Sequence, residues 1–269
     1  MSLDSAAPRV LVFDSGLGGL TVFAPIAQAR PDAALTYVAD DALFPYGDLA
    51  ERALVARVVG LMGQLVAALA PDLVVIACNT ASTLVLGPLR ERFPALPFVG
   101  TVPAIKPAAQ ASRSRLVSVL ATPGTVARDY TRGLIREFAG DCEVTLVGSP
   151  RLAGLAERAL RGESVADAAI AAEIASCFVA RDGRRTDQIV LACTHFPLLA
   201  ERLEALAPWP VAWVDPAPAI ARRVDALLPP AGPALAQGDA RAIFTSGRAA
   251  PPPLQKALLA RGLTISSLP

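Results

Sequence analysis

Short apolar runs alternate with longer helical patterns along almost the whole chain, and nothing else in the sequence limits its fold so tightly. The runs are RVLVF (9–13), LTYVA (35–39), DLVVIA (72–77), PFVG (97–100), RLVSVLA (115–121), CEVTLVG (142–148), QIVLA (188–192), VAWV (211–214) and AIFTS (242–246). Between them the spacing predicts helices near 18–29, 51–69, 81–92, 103–111, 124–138, 151–161, 164–180, 197–206, 217–228 and 252–261, with a closing run LTISSL. Runs that are apolar throughout suit strands covered on both faces, which means parallel sheets flanked by helices. The fold class is therefore α/β and doubly wound. In such sheets ligands sit beyond the carboxyl ends of the strands, so polar residues directly after a run carry the functional signal.

Four strand ends stand out: DSG (14–16), CNTAS (78–82), ATPGTV (121–126) and CTHFP (193–197). Two of them are alike. VVIACNTAS (74–82) and IVLACTHFP (189–197) share an apolar run, then Ala-Cys, then a threonine within two residues. This similarity reads as an internal duplication. It implies two pseudo-symmetric α/β lobes facing each other, each giving one cysteine to an active site in the cleft between them.

Composition removes several function classes. An apolar fraction of 53% with 18% charged residues excludes a disordered chain, and a net charge of +1 offers no field for nucleic acid or an anionic membrane. The start, MSLDSAAPRV, lacks an apolar signal core and reads as a short disordered leader. The stretch LVARVVGLMGQLVAALA (54–70) is broken by Arg57 and Gln64 and reads as too short for a bilayer, so a cytoplasmic protein is expected. A Pro/Gly loop is expected to about residue 236.

The cysteines, at 78, 142, 177 and 193, form no CxxC, which excludes the usual zinc and iron–sulfur spacings. With one histidine in the chain, a catalytic metal would need carboxylates, and none is expected. Cys142 and Cys177 read as small buried apolar residues. Neither lysine, Lys106 or Lys256, lies in a Schiff-base context, and DSGLGG lacks both the lysine and the spacing of a phosphate loop.

Cys78 and Cys193 both fall where a strand passes into a helix, and backbone N–H groups there favour a thiolate. One such cysteine with His195 as base suits a thiol hydrolase. A triad histidine usually comes from elsewhere in the chain, and a Cys-x-His spacing leaves the matter open. Two such cysteines suit a different task. A planar carbanion needs a proton removed from one face and another delivered to the opposite face, and a thiol/thiolate pair does both without a cofactor. In that reading Asp14, Asp40 and His195 tune the thiols or steady a substrate amine.

The motifs resemble those of the glutamate racemases, cofactor-independent members of the Asp/Glu racemase superfamily. They are FDSGLGGLTV (13–22), YVADDALFPYG (37–47), ACNTAS (77–82), ATPGTV (121–126) and CTHFPLL (193–199), in order along nearly the whole chain. The resemblance implies that Cys193 takes the proton from L-glutamate and Cys78 from the D enantiomer. It puts Asp14 and Ser15 near the substrate ammonium and the first cysteine, Asp40 beside the pocket, and Pro45, Tyr46 and Gly47 in a wall. Asn79, Thr80, Thr125 and Thr194 become substrate-binding residues, and His195 assists Cys193 with Glu157 nearby.

The resemblance also implies that the second lobe is inserted in the first. Lobe one is then expected at 1–100 plus 211–269, and lobe two at 101–210. A small-molecule substrate, peptidoglycan supply, no cofactor and a homodimer follow from the same resemblance. Some members also inhibit DNA gyrase, which a near-neutral chain neither favours nor opposes.

Four positions depart from the family pattern: Ser149 for a cysteine, Gly154 for a proline, Pro216 for a serine and Asp41 for a threonine. Aspartate or another small acid as substrate, and a non-catalytic binding protein of the same fold, are the competing readings.

Overall fold

The computed structural model describes residues 7–230 and 239–267. Of the expected leader MSLDSAAPRV, residues 1–6 lie outside the described residues, as does the Pro/Gly loop from 231, and Arg9 and Val10 already belong to the first strand. Two compact units result, one from residues 1–101 and 217–269 and the other from 102–216.

The first unit begins with β1 (Arg9–Asp14), α1 (Leu20–Ala29), β2 (Ala34–Ala39), α2 (Glu51–Leu69), β3 (Leu73–Ile76), α3 (Asn79–Arg92) and β4 (Phe98–Gly100). The second contains α4 (Ile105–Ala111), β5 (Leu116–Ala121), α5 (Pro123–Val126), α6 (Asp129–Phe138), β6 (Glu143–Gly148), α7 (Leu152–Leu160) and α8 (Asp167–Ile174). It continues through β7 (Ala180–Arg181), β8 (Arg184–Arg185), β9 (Gln188–Ala192), α9 (Ala200–Leu206) and β10 (Ala212–Val214). The chain then returns to the first unit as α10 (Ala217–Leu227), β11 (Ala240–Phe244), α11 (Pro252–Leu259) and β12 (Thr264–Ile265).

Both main sheets are parallel throughout. The first has the order β12-β11-β2-β1-β3-β4 and the second β10-β9-β5-β6. The cores of the two sheets correspond strand for strand: β1 lies between β2 and β3 as β5 lies between β6 and β9. The cysteine motifs follow β3 and β9, which are equivalent positions, so the internal similarity seen in the sequence is a similarity of topology.

The helix α2 shows how the core forms. Leu54, Val58, Leu61, Met62, Leu65 and Leu69 recur at three- and four-residue spacing and are buried in one stripe. They pack with Phe13, Val74 and Ile76 of the sheet. At 19 residues, roughly 28 Å, α2 meets the length and composition of a membrane-crossing helix, contrary to the sequence expectation that it is too short. Its stripe is instead part of the sheet-covering core of its unit.

Three expected helices are interrupted. The segment expected as helix 124–138 divides because Thr122 caps α5, accepting from Thr125 N at 3.3 Å with Pro123 at the first position. The Thr125 carbonyl is then taken by the Thr131 hydroxyl at 2.8 Å, and α6 starts afresh. The segment 164–180 ends early in a 3-10 turn and the antiparallel pair β7–β8, joined through Asp182 and Gly183, both at positive φ. The segment 197–206 opens with a 3-10 turn, Phe196–Leu199, that contains Pro197.

The return to the first unit also comes later than expected. Residues 211–216 stay with the second unit because β10 pairs with β9, and the crossing falls at Ala217, directly after Pro216.

Leu65 is wholly buried in the α2 stripe. Leu65→Ala is expected to cost about 2–5 kcal/mol through lost burial and a residual cavity, seen as a lower urea midpoint with an unchanged slope.

Candidate active site

Parallel register brings the site residues of the first unit into line. Phe13 is level with Val38 on one side and Ile76 on the other, and Phe244 is level with Ala39. Continued past the strand ends, those registers set Thr245, Asp40, Ser15 and Cys78 side by side. The backbone bonds from Asp40 N to Asp14 O (2.8 Å), Ala77 N to Phe13 O (2.7 Å) and Thr245 N to Ala39 O (3.0 Å) continue the ladder there.

Cys78 is buried, and its thiol donates to Ser15 Oγ at 3.7 Å. It precedes the first residue of α3, and its carbonyl accepts from Ser82 N at 2.8 Å, so the positive end of that helix lies at the sulfur's own residue. Asn79 and Thr80 form the start of the helix and are buried. Both polar atoms of the Asn79 amide are enclosed without a hydrogen-bond partner among the described residues. Such an amide is expensive to leave unmet, by about 1–3 kcal/mol, and marks a place for a polar ligand.

Asp14 is fully buried, and its carboxylate accepts from Gly19 N at 2.7 Å. Gly19 is required by close approach. A Cβ there would lie 2.7 Å from Asp14 Cβ and 3.2 Å from Ala77 Cβ. The Tyr37 hydroxyl donates to the Gly16 carbonyl and closes the same turn.

Asp40 corrects an expectation. It is fully buried, and its carboxylate accepts from Tyr46 Oη (2.6 Å), Arg57 Nε (2.9 Å), Arg57 Nη2 (2.6 Å) and Thr245 Oγ1 (2.6 Å). A carboxylate so engaged has no capacity left for a substrate. Burial pushes its pKa up, and the bonds from Arg57, Thr245 and Tyr46 outweigh that, holding it below the usual carboxylate range. Neighbouring Asp41 is likewise occupied, accepting from Ser246 N at 2.9 Å and Ser246 Oγ at 2.6 Å. Tyr46 is buried, with its flanking Pro45 exposed and Gly47 half-buried.

The second unit repeats the edge with different chemistry. Ala121 is level with Gly148 and Ala192, so Ser149, Thr122 and Cys193 are neighbours one residue beyond. Cys193 is buried and opens onto a turn and the short 3-10 segment, where the sequence reading expected a full α-helix. In place of a long helix it has an imidazole: Sγ lies 3.9 Å from His195 Nδ1, and His195 Nε2 lies 2.9 Å from Glu157 Oε1. Arg161 Nε adds a donor to Glu157 Oε2 at 3.4 Å. Thr194 and Thr125 are buried in the same unit, with Thr125 Oγ1 3.1 Å from Thr122 Oγ1.

Ser149, a departure from the family pattern, has a clear structural part. Its hydroxyl donates to Glu173 Oε2 at 2.5 Å and accepts from Leu152 N at 3.1 Å, which anchors the start of α7, the helix that carries Glu157. Gly154 has open space where a side chain would project. Of the remaining cysteines, Cys177 is buried and its thiol is pushed up to about 12 by burial, whereas Cys142 is only half-buried, against expectation.

Arg57, Thr245 and Arg161 escaped the sequence reading. A lone arginine in an apolar helix and a threonine just past a strand were the available signals.

Two parallel α/β units of like topology, each with a cysteine within two residues of the end of the equivalent strand, define a class of paired-thiol α/β proteins. The chain belongs to the Asp/Glu/Hydantoin racemase family, which it matches over residues 21–224. It is 58% identical over 240 residues to a glutamate racemase of Mesorhizobium japonicum, covering 89% of this chain and 92% of the relative. It is 59% identical over 220 residues to that of Brucella canis, covering 82% and 79%. Among solved structures it is similar to Escherichia coli glutamate racemase in complex with L-glutamate and the activator UDP-MurNAc-ala. That likeness has a TM-score of 0.88 and 40% identity over 97% of this chain and 98% of the other. Glutamate racemase from Thermus thermophilus gives 0.70 and 29%, with 99% of each chain covered.

Two predictions follow from this geometry. Gly19→Ala forces atoms apart in a packed turn and is expected to destabilise by about 1–3 kcal/mol, read by urea denaturation. The folded pKa of Asp40 is depressed, so its contribution to stability is full above the unfolded value, about 3.9, and is lost as pH falls through the folded value. The stability gap between wild type and Asp40→Asn is therefore expected to be constant from pH 7 to 5 and to shrink towards pH 2, measured by urea midpoints.

Proposed function

We propose that the chain interconverts L- and D-glutamate by two-base proton transfer, with no cofactor. The observation that carries this reading is the repeated edge: a buried cysteine within two residues of the end of the equivalent strand in each unit, each with its own means of supporting a thiolate. Starting from L-glutamate, the Cys193 thiolate takes the α-proton, leaving a planar carbanion. The Cys78 thiol then gives its proton to the opposite face. The product is D-glutamate, with Cys193 now a thiol and Cys78 a thiolate, and the reverse reaction uses the same groups in exchanged roles.

The α-proton is very weakly acidic, so a dry site with fixed dipoles is needed. At Cys78 the α3 N-terminus and Ser15 support the anion. At Cys193 the His195 ring, held by Glu157, does so. The enclosed Asn79 amide, with Thr80 and Thr194, is suited to the substrate's carboxylates and ammonium. Asp14 is suited to the ammonium near the first thiol. Aspartate is one methylene shorter and is the substrate to test against glutamate. The reading places the enzyme in the cytoplasm and its product in peptidoglycan supply.

The chain Cys193–His195–Glu157 also has the connectivity of a thiol hydrolase. That alternative leaves Cys78 without a role, so Cys78→Ala separates the two readings.

The test is circular dichroism of L- and D-glutamate, and of aspartate, with dialysed protein in reducing buffer. Loss of optical activity from either glutamate enantiomer is expected, and a flat signal with all substrates overturns the proposal. Enantiomers have equal free energy, so kcat/KM is the same in both directions. Cys78→Ala and Cys193→Ala are each expected to lower it about 10³-fold or more, equally for L and D. In D₂O, Cys193→Ala is expected still to exchange the α-proton of D-glutamate without inversion, and Cys78→Ala that of L-glutamate, followed by proton NMR.

A further inference from the structure

We infer that Thr245 and Arg57 are positioning residues for the Cys78 half-site, acting through Asp40 to fix Tyr46 beside the thiol. This rests on the proposed racemase reading and adds residues that neither the motifs nor the family resemblance single out. Four features of the structure support it.

First, the network is closed. Asp40 has four donors on its two oxygens, with distances from 2.6 to 2.9 Å, and is fully buried. Second, the direction of each hydroxyl is determined. Thr245 Oγ1 accepts from Ala42 N at 3.3 Å, so its single proton is directed to Asp40 Oδ1. Tyr46 Oη likewise gives its proton to Asp40 Oδ2. Third, Tyr46 belongs to the same buried cluster as Cys78, Leu54 and Val58, so its ring forms part of the surroundings of the thiol. Burial, followed by the Asp40 charge, raises the phenol pKa, and a Cys78 thiolate would raise it further, so the ring stays a neutral donor through the catalytic cycle. Fourth, the donors come from three separate places: Tyr46 from a 3-10 turn, Arg57 from α2 and Thr245 from the end of β11.

Asp40 is therefore a hub. Its position directly after β2 is set by the sheet, Arg57 supplies the balancing charge from a half-exposed site, and Thr245 completes the coordination. Without the full set, the Tyr46 ring can rotate or withdraw, and the Cys78 thiol loses a fixed wall. Positional errors of this kind fall on catalysis because proton transfer needs reacting atoms within about 3–3.5 Å.

The experiment is a double-mutant cycle on kcat/KM for L- and D-glutamate with the full-length protein. Thr245→Val removes the hydroxyl at nearly constant volume, Thr245→Ser retains it, and Tyr46→Phe removes the hydroxyl at the other end of the network. We expect Thr245→Val to lower kcat/KM at least fivefold and Thr245→Ser to restore it to within twofold of wild type. In the Tyr46→Phe background, Thr245→Val is expected to cause less than a twofold further loss, because the route it acts through is already cut. Arg57→Lys, which keeps the charge but loses the two-pronged contact, is expected to show the same non-additivity. It serves as the second variant if Thr245→Val folds poorly by its urea midpoint. Additive losses, or a Thr245→Val enzyme equal to wild type, overturn the positioning role while the racemase reading stands. A folded wild type that racemises neither enantiomer overturns the racemase reading, and the positioning role falls with it.

Discussion

Parallel register is the constraint on which the rest of this structure depends. In a parallel sheet the residues just past the strand ends stay level with the neighbours that share their register, so chemistry from distant parts of the sequence is delivered to one edge. Thr245, Asp40, Ser15 and Cys78 are brought together in this way, although 230 positions separate the first from Ser15. A slip of one residue in β2 or β3 would turn these side chains to the other face. The wholly apolar strands and the helices that cover them are what make such a slip costly.

The two edges solve one electrostatic problem in two ways. In the proposed mechanism a buried thiolate needs compensation, and Cys78 draws it from a 14-residue helix that begins at the next residue. At Cys193 the chain enters a turn with Pro197, and the following segment is a short 3-10 helix. A short helix with a proline near its start has fewer aligned amide dipoles to offer. His195, backed by Glu157 and Arg161, stands where that dipole is missing. Duplicated topology has thus kept the position of the sulfur while its support has diverged.

Much of this was legible in the sequence, because strand ends in parallel sheets are conspicuous. The runs before Asp14, Cys78 and Cys193 are apolar enough to be read as strands, and the polar residues after them follow at once. Less legible were features set by tertiary contacts. Asp40 looked like a substrate ligand because its partners Arg57 and Thr245 lie 17 and 205 residues away. The break between α5 and α6 depends on the Thr122 cap and on the Thr131 hydroxyl, neither of which disturbs the helical spacing. The hairpin β7–β8 is only two residues per strand, below what periodicity resolves. Membership of β10 in the second sheet is a pairing choice, and the sequence VAWV fits either unit.

Two separate bases leave an isotopic record that one base does not. The decisive measurement is racemisation of protiated L-glutamate in D₂O, stopped early and analysed by mass spectrometry after separation of the enantiomers. With Cys193 removing the proton and Cys78 delivering a solvent-derived deuteron, the first D-glutamate formed carries deuterium at Cα while the recovered L-glutamate remains protiated. Protium retained in the product, or deuterium entering the L-glutamate pool as fast as D-glutamate appears, would contradict two thiols acting on opposite faces.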